Sequence, residues 1–120
     1  MVMTQKVPPQ SVDAEARVLG AVLFDPDAIV KVIEILQPEH FYLESHQKIF
    51  DAMYSLFDKG QPVDLITVSE KLKLNNDLDS IGGVAYLSEL TNTISTSAHI
   101  IQHAHIIKEK YLLRSLITVS

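Results

Sequence analysis

The chain ends in a stretch, residues 95–120, that contains neither glycine nor proline: STSAHIIQHAHIIKEKYLLRSLITVS. Serine and threonine at its start are good helix caps, and no residue breaks a helix before the sequence stops. We therefore predict one long helix that runs to the last residue. Its final apolar residues cover more than one face, so the helix requires a surface outside its own domain, and we infer that the chain is part of a longer one. These residues are Tyr111, Leu112, Leu113, Leu116, Ile117 and Val119.

Five shorter segments before this helix space their apolar residues at helical intervals, each between a cap and a stop signal. In the first, Ser11 caps a helix to about Phe24, and Gly20 inside it implies close packing by another helix. The segment QPVDLITVSEKLKL has strand-like composition, but Asp64 as a cap and its helical spacing favour a helix. The sequence thus predicts an all-α fold, a compact bundle of about six helices.

The same spacing predicts which residues form the core. Asp25 is expected to cap the second helix, with Pro26 at its first position, and PEHFY is expected to form one turn that buries Phe41, with Tyr42 as a further candidate. Gly60 is expected to end the third helix, and Gly82–Gly83 to form a turn before the fifth. The predicted buried stripes are Ile29, Val32, Ile33 and Leu36 in the second helix, Ile49, Phe50, Met53, Leu56 and Phe57 in the third, and Val84, Leu87 and Leu90 in the fifth.

Composition excludes several classes of protein. With 120 residues, 47% hydrophobic and 21% charged, the chain is typical of one globular domain. No stretch approaches the roughly 20 apolar residues of a membrane span, and the N-terminus lacks a secretory signal, so we expect a cytoplasmic protein. The absence of cysteine excludes disulfides, thiolate metal sites and cysteine catalysis.

Charge is distributed unevenly along the chain. Residues 1–97 carry seven Lys or Arg against fourteen Asp or Glu, whereas residues 98–120 carry three against one. An acidic body repels phosphate, so a basic or apolar protein partner is favoured. The alternative is a small nucleic-acid-binding helical domain that uses Lys108, Lys110 and Arg114.

Histidines offer the sharpest site-like pattern. His99 and His103 lie four residues apart and would share one side of a helix, as in a zinc site. His105 points elsewhere and no third ligand is evident, so we favour solvated or interface positions over a small metal-dependent enzyme. For His40 and His46 we expect capping or packing roles.

No pattern in the sequence indicates catalysis. The phosphate-binding motifs G-x-x-x-x-G-K-[ST] and G-x-G-x-x-G are both absent. The carboxylates are scattered and occupy positions that favour negative charge at helix starts. We therefore expect neither an enzyme nor a cofactor site in this chain. These carboxylates are Asp13, Glu15, Asp25, Asp27 and Asp64.

Three segments carry a resemblance to a known family: PPQSVDAEARVLGAVL, FYLESHQKIFDAMYSLFDKGQPVDLITVSEKL and GGVAYLSELTNTISTSAHI. They resemble the N-terminal domain of bacterial replicative DNA helicases of the DnaB type, and the resemblance covers residues 8–120. It implies a helical head at 10–97 and the start of a truncated helical hairpin, the arm, at 98–120. Pro8 and Pro9 favour extended backbone, so we expect a flexible lead at 1–9. The resemblance also implies a non-catalytic collar, because ATP and magnesium are bound by a separate motor domain.

The resemblance further implies partners. Hairpins of this family dimerise, and three dimers form a ring on the motor hexamer in the bacterial cytoplasm, or in a plastid. The collar receives the helicase-binding C-terminal domain of primase, and in some bacteria a loader acts nearby. Tyr86 and Ile117 match the primase-facing surface, and Leu113 and Leu116 are expected to contact a partner. Core packing of Tyr86, and a hairpin-dimer contact for Ile117, are the alternatives.

Overall fold

Caps and glycine stops divide the chain into helices close to the predicted positions. The structure, a computed structural model, describes residues 7–119, with side-chain environments through residue 117. Within that range it contains no strand. Short 3-10 helices occupy Pro26–Ala28 and Pro38–His40. The α-helices are α1 Val12–Phe24, α2 Ile29–Val32, α3 Glu44–Asp58, α4 Leu65–Leu74, α5 Gly83–Asn92 and α6 Ile100–Val119.

Helix α1 forms the centre of the head. It begins as predicted, because the Ser11 hydroxyl oxygen accepts a 3.2 Å hydrogen bond from the backbone N–H of Ala14. Gly20 lies against α5: a Cβ atom there would overlap the carbonyl oxygen of Leu90 and lie 2.8 Å from Cγ1 of Ile94. The close packing predicted from this glycine is therefore confirmed.

The second helix is shorter than predicted. A 3-10 turn, Pro26–Ala28, precedes only four residues of α-helix, Ile29–Val32. The Asp25 side chain makes no capping hydrogen bond and instead accepts a 2.9 Å bond from the Ser97 hydroxyl. Asp25 and Pro26 thus occupy the cap and first positions predicted for them, but the Asp25 carboxylate bonds a distant residue instead of capping the helix.

Helix α3 ends, and helix α4 begins, at the positions that the sequence predicts. Gly60 follows α3 with a left-handed φ of +69°, which favours glycine. Asp64 and Thr67 form a capping box at the start of α4, each side chain accepting a 2.9 Å bond from the other residue's backbone N–H.

Two residues of the predicted stripes are at the surface, as is Tyr42, the further candidate, which is 37% exposed beside the buried Phe41. Phe57 is 36% exposed because it lies one position beyond the buried Leu56, at the edge of the α3 core face. Val84 is 46% exposed on the first turn of α5, before the turns that bury Leu87 and Leu90. The remaining members of the three predicted stripes are buried or half-buried.

Helix α6 has two halves with different surroundings. Its first half packs on α1 and buries Ile100, Ala104 and Ile107 in the core of the head. Its second half leaves its leucines exposed. Among the described residues, no helix is long and apolar enough to cross a membrane. The division between head and arm at residue 98 stays a prediction, and residues 1–6 of the predicted lead lie outside the described range.

Candidate partner-docking surface

The second half of α6 presents an apolar surface, which we call the arm face and define as Leu112, Leu113, Leu116 and Ile117. These side chains are between 40% and 70% exposed. The long helix and its exposed apolar end are thus as the sequence predicts. Val119, also named in that prediction, lies beyond residue 117, the last whose side-chain environment the structure describes. Exposed apolar side chains grouped in this way are typical of interaction surfaces, so the arm face is a candidate docking surface.

Arg114 joins the arm to the head. Its guanidinium donates hydrogen bonds of 2.8 Å to the Pro9 carbonyl oxygen and 2.9 Å to the His40 carbonyl oxygen. It also lies 5.3 Å from the ring centroid of Tyr42 and 5.9 Å from that of Tyr111. Arg114 was a candidate phosphate ligand, but these internal contacts already use its guanidinium.

A second contact strengthens the junction between arm and head. The Tyr111 hydroxyl donates a 3.0 Å hydrogen bond to the Glu39 carboxylate. The ring of Tyr111 packs against that of His40, with centroids 4.6 Å apart. His40 itself accepts a 2.9 Å bond at Nδ1 from the backbone N–H of Gln37, which is the capping role expected for it. The arm therefore leaves the head at a geometry fixed by side chains from both.

Tyr86 lies on α5 and is half-buried. Its hydroxyl is 2.6 Å from Nε2 of His46, and the two rings stack with centroids 5.9 Å apart. Burial raises the pKa of the Tyr86 phenol, and the nearby carboxylates of Glu89 and Glu15 raise it further. Its hydrogen bond and ring contact are both with α3, so the structure places Tyr86 on the head and the arm face on a different element.

The sequence did not predict the environment of Glu15. It was expected to be an ordinary acidic residue of the first helical turn, yet it is only 1% exposed. Its carboxylate accepts bonds from the backbone N–H of Tyr42 at 2.6 Å and of Leu43 at 3.4 Å, just before α3 begins. It also lies 2.9 Å from Nδ1 of the fully buried His46. Glu15 and His46 are 31 residues apart in the chain, so no local sequence pattern indicates their contact.

His99 and His103 lie close together, as predicted, with ring centroids 6.3 Å apart. Burial lowers the pKa of His103, as do Arg17 and His99, while Asp13 raises it. Across residues 7–119 no group of three or more His, Cys, Asp or Glu side chains is arranged to hold a metal ion. The zinc alternative therefore still has no third ligand.

Family comparison decides the class of protein. A family described as "DnaB-like helicase N terminal domain" matches residues 7–109. The chain belongs to this family. The family and the all-α fold predicted from the sequence are thus confirmed.

Curated relatives of this DnaB-like N-terminal domain are complete helicases. Replicative DNA helicase DnaB of Geobacillus stearothermophilus is 51% identical over 114 residues, which are 95% of the chain and 25% of that protein. Replicative DNA helicase DnaC of Bacillus subtilis (strain 168) is 44% identical over 115 residues, 96% of the chain and 25% of that protein. The chain spans about a quarter of these relatives and matches their N-terminal domain, not their whole length.

Solved structures agree with the DnaB-like assignment. The N-terminal domain of DnaB helicase from Mycobacterium tuberculosis matches with a TM-score of 0.90 and 42% identity, covering 93% of this chain and 78% of that one. A DnaB-like replicative helicase, described together with its interactions with primase, matches with a TM-score of 0.81 and 31% identity. That match covers 91% of this chain and 25% of the other.

Proposed function

We propose that the chain is a collar domain of a hexameric replicative DNA helicase, which assembles subunits and docks primase at the replication fork in the bacterial cytoplasm or a plastid. The observation that carries the proposal is the arm face, an exposed apolar surface on a helix that Arg114 holds to the head. ATP and magnesium would act in the motor of the complete helicase, and we propose no cofactor for this chain.

Self-assembly accounts for the composition of the arm face. Leu112, Leu113 and Leu116 present their side chains on the part of α6 that extends beyond the core contacts of Ile107. Burying such leucines against the same face of a second copy would remove roughly 25 cal/mol of unfavourable hydration per Å². We propose that arms pair in this way and that three pairs form the ring, with a loader acting nearby in some bacteria.

Primase is the second proposed partner. A DnaB-like helicase similar to this chain is described as interacting with primase. The acidic head favours a basic or apolar partner surface and disfavours nucleic acid. We propose that the helicase-binding C-terminal domain of primase contacts Tyr86 on the head and Ile117 on the arm, and that it spans neighbouring subunits, while Leu113 and Leu116 contact the second copy.

Sedimentation velocity tests both parts. The chain is run over a range of concentrations, alone and with the C-terminal domain of the primase from the same organism. We expect concentration-dependent association that Leu116→Ser abolishes, and a primase complex that Tyr86→Ala weakens. Lys110→Ala, on the same helix, is the control and should change neither. A chain that stays monomeric and sediments apart from primase at every concentration would contradict the proposal.

A further inference from the structure

The most completely buried polar cluster of the head links three helices through one hydrogen-bond chain. Glu15 of α1 is 1% exposed and His46 of α3 is fully buried, while Tyr86 of α5 reaches the surface. The carboxylate oxygen Oε1 of Glu15 is 2.9 Å from His46 Nδ1, and His46 Nε2 is 2.6 Å from the Tyr86 hydroxyl. A surface side chain is thus connected to a carboxylate in the core.

Glu15 determines which imidazole nitrogen carries hydrogen. Its carboxylate already accepts bonds from the backbone N–H groups of Tyr42 and Leu43, and an ionised carboxylate is an acceptor only. Nδ1 of His46 must therefore donate to it. In the neutral ring this leaves Nε2 as an acceptor, so the Tyr86 hydroxyl donates inward to His46. The direction of the whole chain follows from the carboxylate at its buried end.

The base of the Tyr86 side chain occupies space that a side chain at residue 82 would need. Gly82 has a left-handed φ of +109°, and a Cβ atom at that position would lie 2.8 Å from the Cβ and 3.3 Å from the Cγ of Tyr86. The imidazole of His46 stacks on the same phenol ring with an interplanar angle of 12°. The hydroxyl and the ring plane are therefore both constrained before any partner arrives.

We infer that Glu15 and His46 are positioning residues that hold Tyr86 in the orientation in which it meets primase, an inference that rests on the proposed docking function. Neither residue can contact primase itself, because both are buried. Their contribution is preorganisation: a fixed aromatic side chain loses less conformational entropy on binding than a mobile one. Tyrosine is also a residue type that commonly dominates binding energy at interfaces.

The first test determines the tautomer of His46 in the chain without primase. Long-range ¹H–¹⁵N correlation spectra of the 120-residue chain at pH 8 distinguish the two histidine tautomers. We expect His46 to be protonated at Nδ1 and bare at Nε2, and we expect Tyr86→Phe to shift the Nε2 resonance selectively. A His46 ring protonated at Nε2 would overturn the inference, irrespective of the affinity measured for primase.

The second test measures affinity for the primase C-terminal domain by calorimetry in a double-mutant cycle. Tyr86→Phe and His46→Gln should each weaken binding by about fivefold, the effect of one lost hydrogen bond. The double variant should bind within about twofold of either single variant, because both changes break the same chain. Ile49→Val, at another fully buried position of α3, is the matched control. It should lower stability and leave affinity unchanged.

The outcomes separate this inference from the docking proposal. If Tyr86→Ala leaves affinity unchanged, primase does not use Tyr86 and the docking assignment is wrong. If Tyr86→Ala weakens binding but His46→Gln does not, docking stands and the positioning role is wrong. Should His46→Gln fail to fold, Glu15→Gln replaces it, since a neutral amide keeps an acceptor oxygen and weakens the chain without removing it.

Discussion

Arg114 on α6 donates a 2.9 Å hydrogen bond to the carbonyl oxygen of His40, which lies 74 residues earlier in the chain. The same guanidinium donates to the carbonyl oxygen of Pro9 at 2.8 Å. A planar guanidinium can satisfy two carbonyls at once with little further loss of side-chain freedom. One residue thus ties the arm both to Pro9, at the end of the predicted lead, and to the turn before α3.

Replacing Arg114 with lysine should loosen the arm. The ammonium of lysine cannot keep both carbonyl bonds and the contacts with Tyr42 and Tyr111 in one geometry. We expect Arg114→Lys to lower the free energy of unfolding by about 1 to 2 kcal/mol in urea titrations. Lys110→Ala, one turn away, should stay within about 0.5 kcal/mol of the native chain. Equal stability of all three proteins would contradict the role of Arg114.

Stability should fall in mild acid because of His40. Burial lowers the pKa of His40 below its usual value of 6.5, Lys108 and Arg114 lower it further, and Glu39 raises it. The unfolded chain therefore binds the proton more readily than the folded one. The free energy of unfolding should be fully maintained above about pH 6.5 and should decrease as the pH falls through the folded-state pKa. Protonation at Nδ1 would also remove the acceptor that Gln37 uses.

Urea titrations between pH 7.5 and 5.5 measure this dependence. His40→Gln should flatten the slope, since glutamine does not titrate. Part of the slope should survive in that variant because the pKa of His103 is also lowered, first by burial and then by Arg17 and His99. A slope that is the same with and without His40 would show that other groups account for it.

Gly20 should tolerate no side chain. Alanine is the better helix former by about 1 kcal/mol, so Gly20→Ala would stabilise an isolated helix. In this fold the added methyl overlaps the Leu90 carbonyl and presses on Ile94. We expect a net loss of about 2 to 3 kcal/mol in unfolding free energy. Gly60→Ala is the control. A Cβ atom there would meet nothing within 4 Å, so only the left-handed φ should lower the free energy of unfolding, by about 1 kcal/mol. A larger loss at Gly60 than at Gly20 would contradict the close approach of α1 and α5.

Local patterns predicted most of the helices because their signals act within a few residues. Ser11 and Asp64 cap the helices that follow them, and Gly60 ends α3, as the sequence indicates. Asp25 also lies at its predicted cap position, but its side chain makes no capping bond. Its carboxylate bonds Ser97, 72 residues away, and no local pattern encodes that competition.

The candidate site was predictable only in part. The apolar excess of the arm face is visible in the sequence because a helix has too few positions to bury so many leucines on one side. The burial of Glu15 is not visible, since an acidic residue in a first helical turn already has a sufficient local explanation. Its pairing with His46 follows from the packing of α1 on α3, which local spacing does not determine.

Leu116 and Ile107 should respond oppositely to truncation, although both lie on α6. Ile107 is 1% exposed and belongs to the head's core, so Ile107→Ala should cost about 2 to 4 kcal/mol of unfolding free energy. Leu116 is 70% exposed, so Leu116→Ala should change the stability of the dilute chain by less than about 0.5 kcal/mol.

If arms pair, the melting temperature of the native chain should rise with concentration, because association stabilises the folded state, and Leu116→Ala should remove that rise. Calorimetry over a hundredfold concentration range measures it. A rise that persists in Leu116→Ala would place the association on another surface.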